Sequence, residues 1–357
     1  MATLSTMPDL PVTDVLPKLL NVLKHGSNAV LVAPPGAGKT TLVPLALRDA
    51  PWREGRKILV LEPRRLAARA AATRMAQLLG ESAGQSVGYR VRMDTKVSQE
   101  TVIEVITEGV FSRIIKDDPG LENIAAVLFD EFHERSLDGD LALALCLDLQ
   151  SGLREDLRLL AMSATLDGAA VAQLMNAPVI ESEGRQFPVE ITYQERKPRE
   201  DIEDHMARAV RAVLSSGQSG SVLGFLPGQR EIERTFDRLD GTLPPDTDLH
   251  RLYGAISQKD QDGAIAPPVA ERRKVVLASA IAETSITIVG VTTVIDSGLS
   301  RQAVFEPDTG LTRLKTGRAS LAAVTQRAGR AGRLGPGHAI RLWREEQNLA
   351  LAAQDPP

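Results

Sequence analysis

Apolar residues in this chain fall into short unbroken runs separated by longer amphipathic stretches. Asn28-Ala29-Val30-Leu31-Val32, Lys57-Ile58-Leu59-Val60-Leu61-Glu62, Thr101-Val102-Ile103-Glu104-Val105-Ile106, Ile124-Ala125-Ala126-Val127-Leu128-Phe129 and Leu157-Arg158-Leu159-Leu160-Ala161-Met162 each read as a buried strand. Helical patterns lie between them. One runs from Val15 to Leu23, ends near His25-Gly26 and is expected to pack beside the first strand. A second opens at Leu42, and an Ala-rich third spans Leu66 to Leu79. Near-continuous apolar strands alternating with helices predict a mostly parallel sheet with helices on both faces. Each strand ends in polar residues, and ligands of such sheets sit at the carboxyl ends of the strands.

The pattern then repeats. Ser221-Val222-Leu223-Gly224-Phe225-Leu226 reads as a strand, Gln229 to Leu239 as a helix, and Lys274-Val275-Val276-Leu277-Ala278, Val291-Thr292-Thr293-Val294-Ile295-Asp296 and Ala339-Ile340-Arg341-Leu342-Trp343 as further strands. The two halves are separated at about residues 181–204, a charged stretch carrying Pro188, Pro198 and Gly184. Two α/β domains are predicted, 1–182 and 183–357. A length of 357 residues suits two domains.

The turn after the first strand carries chemistry. Ala33-Pro34-Pro35-Gly36-Ala37-Gly38-Lys39-Thr40-Thr41 joins a strand to a helix, the layout of a phosphate-binding loop. Small residues let successive backbone N–H groups ring a phosphate, and the helix N-terminus adds free N–H groups and partial positive charge. Lys39 can reach the β- and γ-phosphates, and the Thr40 hydroxyl can ligate Mg²⁺. The usual pattern opens with glycine; here that position is Ala33. The plainer alternative is a glycine-rich turn with an incidental lysine.

Asp130-Glu131-Phe132-His133 follows a buried strand about 90 residues after Lys39. An acid directly after such a strand is what Mg²⁺ needs opposite a phosphate loop. Asp130 would hold the metal through water, and Glu131 would polarise an attacking water. Gln326-Arg327-Ala328-Gly329-Arg330-Ala331-Gly332-Arg333 places three arginines at three-residue spacing, expected near one helix face. Arginine's planar, always charged fork suits a γ-phosphate; a basic surface patch or a nucleic-acid contact is the alternative. The distance in sequence suggests a nucleotide held between two domains.

Composition adds limits. A net charge of −4 provides no global basic field but leaves room for a local groove. The single cysteine, Cys146, permits no intrachain disulfide and suits the cytoplasm; its apolar surroundings make it a core residue. No uncharged apolar stretch is long enough to span a membrane, and Met1 to Pro11 does not read as a signal peptide.

Taken in order, these segments resemble a superfamily 2 helicase of the DEAH/RHA group, and within it the bacterial HrpB-type ATP-dependent helicases. Ala33–Thr41 is similar to motif I and Glu62-Pro63-Arg64-Arg65-Leu66-Ala67-Ala68 to motif Ia. Thr107-Glu108-Gly109 resembles the strand-contacting motif that follows. Asp130–His133 resembles motif II, with Phe132 where the group has alanine, and Ser163-Ala164-Thr165 motif III. Phe225–Glu233 resembles motif IV, Ile281–Ile288 motif V and Gln326–Arg333 motif VI. The group's essential glycines fall at Gly36 and Gly38, so Ala33 is no defect. Motif V departs from the group in having Ser279-Ala280 before it and Val289 in place of an acid.

The resemblance implies two tandem RecA-like domains with a nucleotide cleft between them. It implies an ATP-dependent RNA helicase core that uses Mg²⁺ and ATP, with other NTPs tolerated. Pro35, Gly36, Ala37, Gly38, Lys39, Thr40 and Thr41 would cradle phosphate. Thr40, Asp130 and Glu131 would serve the metal. Gln326 would help place the water, with Arg330 and Arg333 as fingers. His133, Ser163 and Thr165 would couple nucleotide state to movement. Arg74 would stack on the base, opposite Ile265. Single-stranded or partly duplex RNA would be held through sugar and phosphate, with Arg64, Arg65, Thr107, Gly109, Gly228 and Thr284 as contacts. A monomer is expected. The chain would be a core that lacks the group's winged-helix and ratchet domains. The competing readings are a nucleotide-gated RNA clamp that unwinds nothing and a helicase acting on DNA.

Overall fold

β1 (Asn28–Val32) turns neither side to solvent: Ala29 and Leu31 face one layer of helices, Val30 and Val32 the other. The computed structural model describes residues 8–164, 168–183, 187–270, 272–283, 286, 288–333 and 335–354. The chain divides into two compact units, Met1–Arg185 and Gln186–Pro356.

In the first unit, α1 (Leu16–His25) precedes β1. Then come α2 (Lys39–Leu47), β2 (Lys57–Glu62), α3 (Arg65–Leu78), β3 (Val87–Val91), β4 (Asp94–Lys96), β5 (Ile103–Thr107) and α4 (Glu108–Asp117). β6 (Ile124–Phe129), α5 (Leu137–Gly152), β7 (Arg158–Ser163), α6 (Gly168–Leu174) and β8 (Val179–Glu181) complete it. Among the described residues these strands form one eight-stranded sheet in the order β4-β3-β5-β2-β6-β7-β1-β8. Only β4, which runs back on β3, is antiparallel to its neighbour. α1, α2 and α3 cover one face through Leu19, Leu42 and Ala72. α4, α5 and α6 cover the other through Phe111, Leu143 and Val171. Cys146 lies in that second layer, as expected, and burial pushes its thiol up to about 12. The parallel register brings the carboxyl ends of β1, β2, β5, β6 and β7 to one edge, where Ala33, Glu62, Thr107, Asp130 and Ala164 stand.

The second unit runs β9 (Val189–Tyr193), α7 (Ile202–Ser215), β10 (Ser221–Phe225), α8 (Gln229–Leu239), β11 (Thr247–Leu252), α9 (Gln258–Ile265), β12 (Arg273–Ala278) and β13 (Val291–Asp296). An antiparallel hairpin of β14 (Leu299–Glu306) and β15 (Leu311–Arg318) follows, then α10 (Leu321–Ala328) and β16 (Gly337–Arg341). The main sheet has the order β11-β12-β10-β13-β16-β9 and is parallel throughout. α7 and α8 pack Met206, Val210, Ile232 and Leu239 on Val222, Val275, Leu277 and Ile295. The intervening Leu223, Val276 and Val294 are buried on the opposite face.

The sequence reading missed the sheet edges. β9 lies inside the charged stretch taken as the boundary and pairs with β16. β11, with the sequence Thr-Asp-Leu-His-Arg-Leu, is an edge strand whose middle positions are only partly covered, so it shows no apolar run. No apolar block announces β3 either, although Val87, Tyr89 and Val91 alternate and are buried.

Leu31→Ala, at a fully buried position of β1, should lower unfolding free energy by about 3 kcal/mol. Leu349→Ala, at a side chain 94% exposed, should stay within about 0.5 kcal/mol. Urea unfolding of the two variants against wild type checks both values.

Candidate active site

The loop between β1 and α2 has the backbone that its glycines permit. Gly36 and Gly38 take φ of 85° and 92°, a region in which side chains are strained. A Cβ on Gly38 would also meet Leu10 Cδ1 at 2.8 Å. The Ala37 N–H donates to the Pro34 carbonyl at 3.1 Å, and the Ala37 carbonyl accepts from the Val12 N–H at 3.0 Å. The N-terminal segment thus braces the loop from behind. Pro35 and Gly36 are exposed, Ala37 is buried, and Lys39 opens α2 with a buried side chain.

Lys39 Nζ lies 3.1 Å from Glu131 Oε1, with side chains 4% and 7% exposed. Burial alone would pull its ammonium down; Glu131, Asp130 and Glu62 outweigh that and hold it above its ordinary value. Asp130 is buried, which pushes its carboxyl up; Lys39 and the Thr40 hydroxyl pull the other way, and the net direction is upward. Its Oδ1 accepts the Glu131 N–H at 2.8 Å. Glu131 itself sits at φ 48°, ψ 35°, a left-handed conformation that costs a non-glycine residue about 1 kcal/mol or more. That bend sends the Glu131 side chain back toward Lys39.

Lys39, Thr40, Asp130 and Glu131 are therefore together, as the sequence suggested. Their donor set fits a hard divalent cation beside phosphates: one hydroxyl, and buried carboxylates in excess of cations. Among the described residues no three His, Cys, Asp or Glu side chains cage a metal by themselves. Mg²⁺ commonly binds in that way, through one or two carboxylates, waters and substrate phosphates.

His133 and Ser163 adjoin this cluster. The Ala164 N–H donates to His133 Nδ1 at 3.3 Å, and that nitrogen lies 3.5 Å from Glu131 Oε2. The Ser163 carbonyl accepts from the Ala33 N–H at 2.9 Å. The end of β7 is thus strung between the phosphate loop and the turn after β6. Phe132 is buried and packs edge-on against Phe129, centroids 6.0 Å apart; the ring where alanine was expected fills core. Arg64 is ion-paired with Glu134 at 3.2 Å, while Arg65, Arg74 and Gly109 are exposed and Thr107 stands at the N-cap position of α4 without a side-chain capping bond. Thr165 and Thr284 lie outside the described residues.

In the second unit the three arginines do not share a helix face. α10 ends at Ala328, with Gly329 at its cap, and i→i+3 bonds from the N–H groups of Arg330, Ala331 and Gly332 continue the chain as tight turns. Arg327 points inward. It is 1% exposed, meets Glu283 and Asp296 at 3.0 Å each, and stacks on the Phe225 ring at 5.2 Å. Arg330 is also buried: its Nε donates to the Glu283 carbonyl at 2.9 Å and Nη1 to the Ile286 carbonyl. Gln326 and Arg333 are half-buried, Gly228 caps α8, and Ile265 closes α9.

Sequence reasoning gave no individual role to Glu62, Glu283 or Asp296, and grouped Arg327 with the arginines suited to a γ-phosphate, whereas it is committed to the interior. Glu62 carried the same signal as Asp130, an acid ending a buried strand. Burial and the charges of Asp130 and Glu131 push its carboxyl well above the usual range.

Residues 13–174 match the DEAD/DEAH box helicase family and residues 205–335 the helicase conserved C-terminal domain. The first part of the chain thus carries a DEAD/DEAH box helicase domain and the second a helicase conserved C-terminal domain. It is 51% identical, over 98% of its length, to 43% of the Escherichia coli ATP-dependent RNA helicase HrpB. It is 34% identical, again over 98%, to 49% of a probable ATP-dependent RNA helicase, DHR2, of Saccharomyces cerevisiae. Crystal structures of the E. coli DEAH/RHA helicase HrpB and of the E. coli DExH-box NTPase HrpB superpose with TM-scores of 0.91 and 0.81 over 98% of the chain, covering 44% and 43% of those proteins. The chain spans a little under half the length of these relatives.

Arg327→Ala takes the shared cation from two largely buried acids and should cost the second unit about 3–5 kcal/mol. Replacing Arg327, Glu283 and Asp296 together by apolar residues of similar size should recover most of that loss. Denaturant unfolding followed by the fluorescence of buried Trp343 distinguishes the two variants.

Proposed function

We propose that the chain is the core of an ATP-dependent RNA helicase, with residues 1–182 as the ATP-binding domain and 183–357 as the helicase C-terminal domain, acting as a monomer in the cytoplasm. The observation that carries this reading is the buried Lys39–Glu131 pair at 3.1 Å, beside a strand-to-helix loop in which Gly36 and Gly38 take positive φ. The family match supports it.

The chemistry follows from the residues. The loop from Pro35 to Thr41 cradles the β- and γ-phosphates of ATP, with backbone N–H groups that follow Pro35 as donors. Phosphate oxygens compete for Lys39, which leaves Glu131 for the attacking water. Thr40 and Asp130 would hold Mg²⁺, Asp130 through water, and the ion would supply charge neutralisation on the phosphates. Glu131 orients the water in line with the γ-phosphorus and takes its proton; ADP departs. Gln326 helps place that water, and Arg330 and Arg333 act as fingers, worth ~10³–10⁵ in rate in this chemistry. His133, Ser163 and Thr165 report nucleotide state to the rest of the chain. RNA is held through sugar and phosphate by Arg65, Thr107, Gly109, Gly228 and Thr284, with Arg64 released from Glu134.

Hydrolysis measured with and without RNA, beside strand separation of a partial duplex, tests the reading. RNA-stimulated hydrolysis with unwinding supports it; stimulated hydrolysis without unwinding makes the chain a clamp. Matched DNA strands that compete as well as RNA overturn the RNA preference.

Glu131→Gln should cut hydrolysis by at least about 10²-fold while nucleotide affinity changes little. Arg330→Ala should likewise cut RNA-stimulated turnover far more than affinity, and equal losses in both would remove it from the finger role. Arg74 and Ile265 offer a stacking plane and an aliphatic contact but no groups that read a base edge, so ATP and GTP should turn over at similar rates when measured side by side. Strong ATP preference would contradict this.

A further inference from the structure

Glu62 ends β2, and the reaction set out above does not use it. Its side chain is fully buried, and its carboxyl oxygens meet no donor group among the described residues; the polar group within reach is another acid, the Asp130 carboxyl, which can bond to it only through a proton. Asp130 Oδ2 is in the same state. The register explains their closeness. Leu61 pairs with Phe129 across parallel strands, and the Asp130 N–H donates to the Leu61 carbonyl at 2.9 Å. Glu62 and Asp130 also continue the alternate positions (Ile58 and Val60; Ala126 and Leu128) that face the layer of α2. Both acids therefore emerge side by side toward the turn where Lys39 and Thr40 stand.

Lys39 is engaged by Glu131 at 3.1 Å, so one ammonium serves three carboxyls. A buried acid without a donor is retained only where something positive comes to it. A proton shared between Glu62 and Asp130 satisfies two of the three orphaned oxygens. The water shell of a divalent cation presents donors enough for all three, and Mg²⁺ keeps several of its waters when it binds.

We propose that Glu62 is an outer-sphere ligand of the divalent cation, accepting hydrogen bonds from its waters beside Asp130 and so setting how steeply nucleotide binding depends on metal. This rests on reading residues 33–41 as an NTP loop. Outer-shell partners of a metal are typically worth about 10- to 100-fold in its affinity.

The test is fluorescence titration of the whole chain with a mant-labelled ADP, in EDTA and across a Mg²⁺ series. Glu62→Gln, of the same size and uncharged, should raise the half-saturating Mg²⁺ about tenfold or more and leave affinity in EDTA unchanged or tighter. Glu62→Ala should do the same, and carries the test if Glu62→Gln does not fold; retained binding in EDTA reports the fold of each. A folded variant of either kind that titrates like wild type overturns the proposal and leaves the shared proton as the occupant. A wild-type chain that binds no nucleotide overturns the loop reading itself, and this proposal with it. That outcome is separable, because it is seen without any change at Glu62.

Discussion

Charge buried at the edge of a sheet governs the first unit. Lys39 is 3% exposed and is surrounded by Glu131, Asp130 and Glu62. Ions are kept out of water only where geometry compensates them closely. The parallel register supplies the acids, the left-handed turn at Glu131 brings one of them back to the lysine, and the first turn of α2 contributes its dipole. Core packing on both faces of β1, β2 and β6 keeps the arrangement dry. Surplus negative charge remains, and the site is therefore receptive to a cation and to phosphates together, more than to either alone.

The second unit handles the same problem by closure. Arg327 has Glu283 and Asp296 on its fork and Phe225 under its plane, with a further bond from Nη1 to the Leu299 carbonyl at 3.2 Å. Arg327 Nε and Nη1 are thus taken up within the unit, and of its two acids Asp296 keeps one oxygen, Oδ2, without a hydrogen-bond partner among the described residues. The turns that follow inherit this rigidity: Arg330 is anchored on the carbonyls of Glu283 and Ile286, the same segment that holds Arg327. One unit thus carries an open electrostatic valence and the other a frame that fixes arginines in space.

Much of this was legible in the sequence because buried parallel strands have no polar face to interrupt them. β1, β2, β6 and β10 stood out as runs, and the residues just past β1 and β6 marked the site. Edge strands β9 and β11 were hidden, since half of each faces water and their charged residues resemble loop. The arginine spacing misled because a period of three fits a helix only loosely, and Gly329 ends the helix before the second arginine. Glu62 was visible but mute: its neighbour across the register, Asp130, lies 68 positions away in sequence, and only pairing shows that the two acids meet.

The Arg327 network has a consequence for the history of such chains. Its members come from four separated segments, at Phe225, Glu283, Asp296 and Arg327, and loss of Arg327 strands two acids in the interior. Drift at these positions has to be concerted, so a lineage would keep them unchanged whether or not they touch a nucleotide. An arginine in this segment can therefore serve folding as much as catalysis. The two are told apart by what surrounds the guanidinium: opposing acids and a ring for Arg327, and backbone carbonyls at the rim of a turn for Arg330.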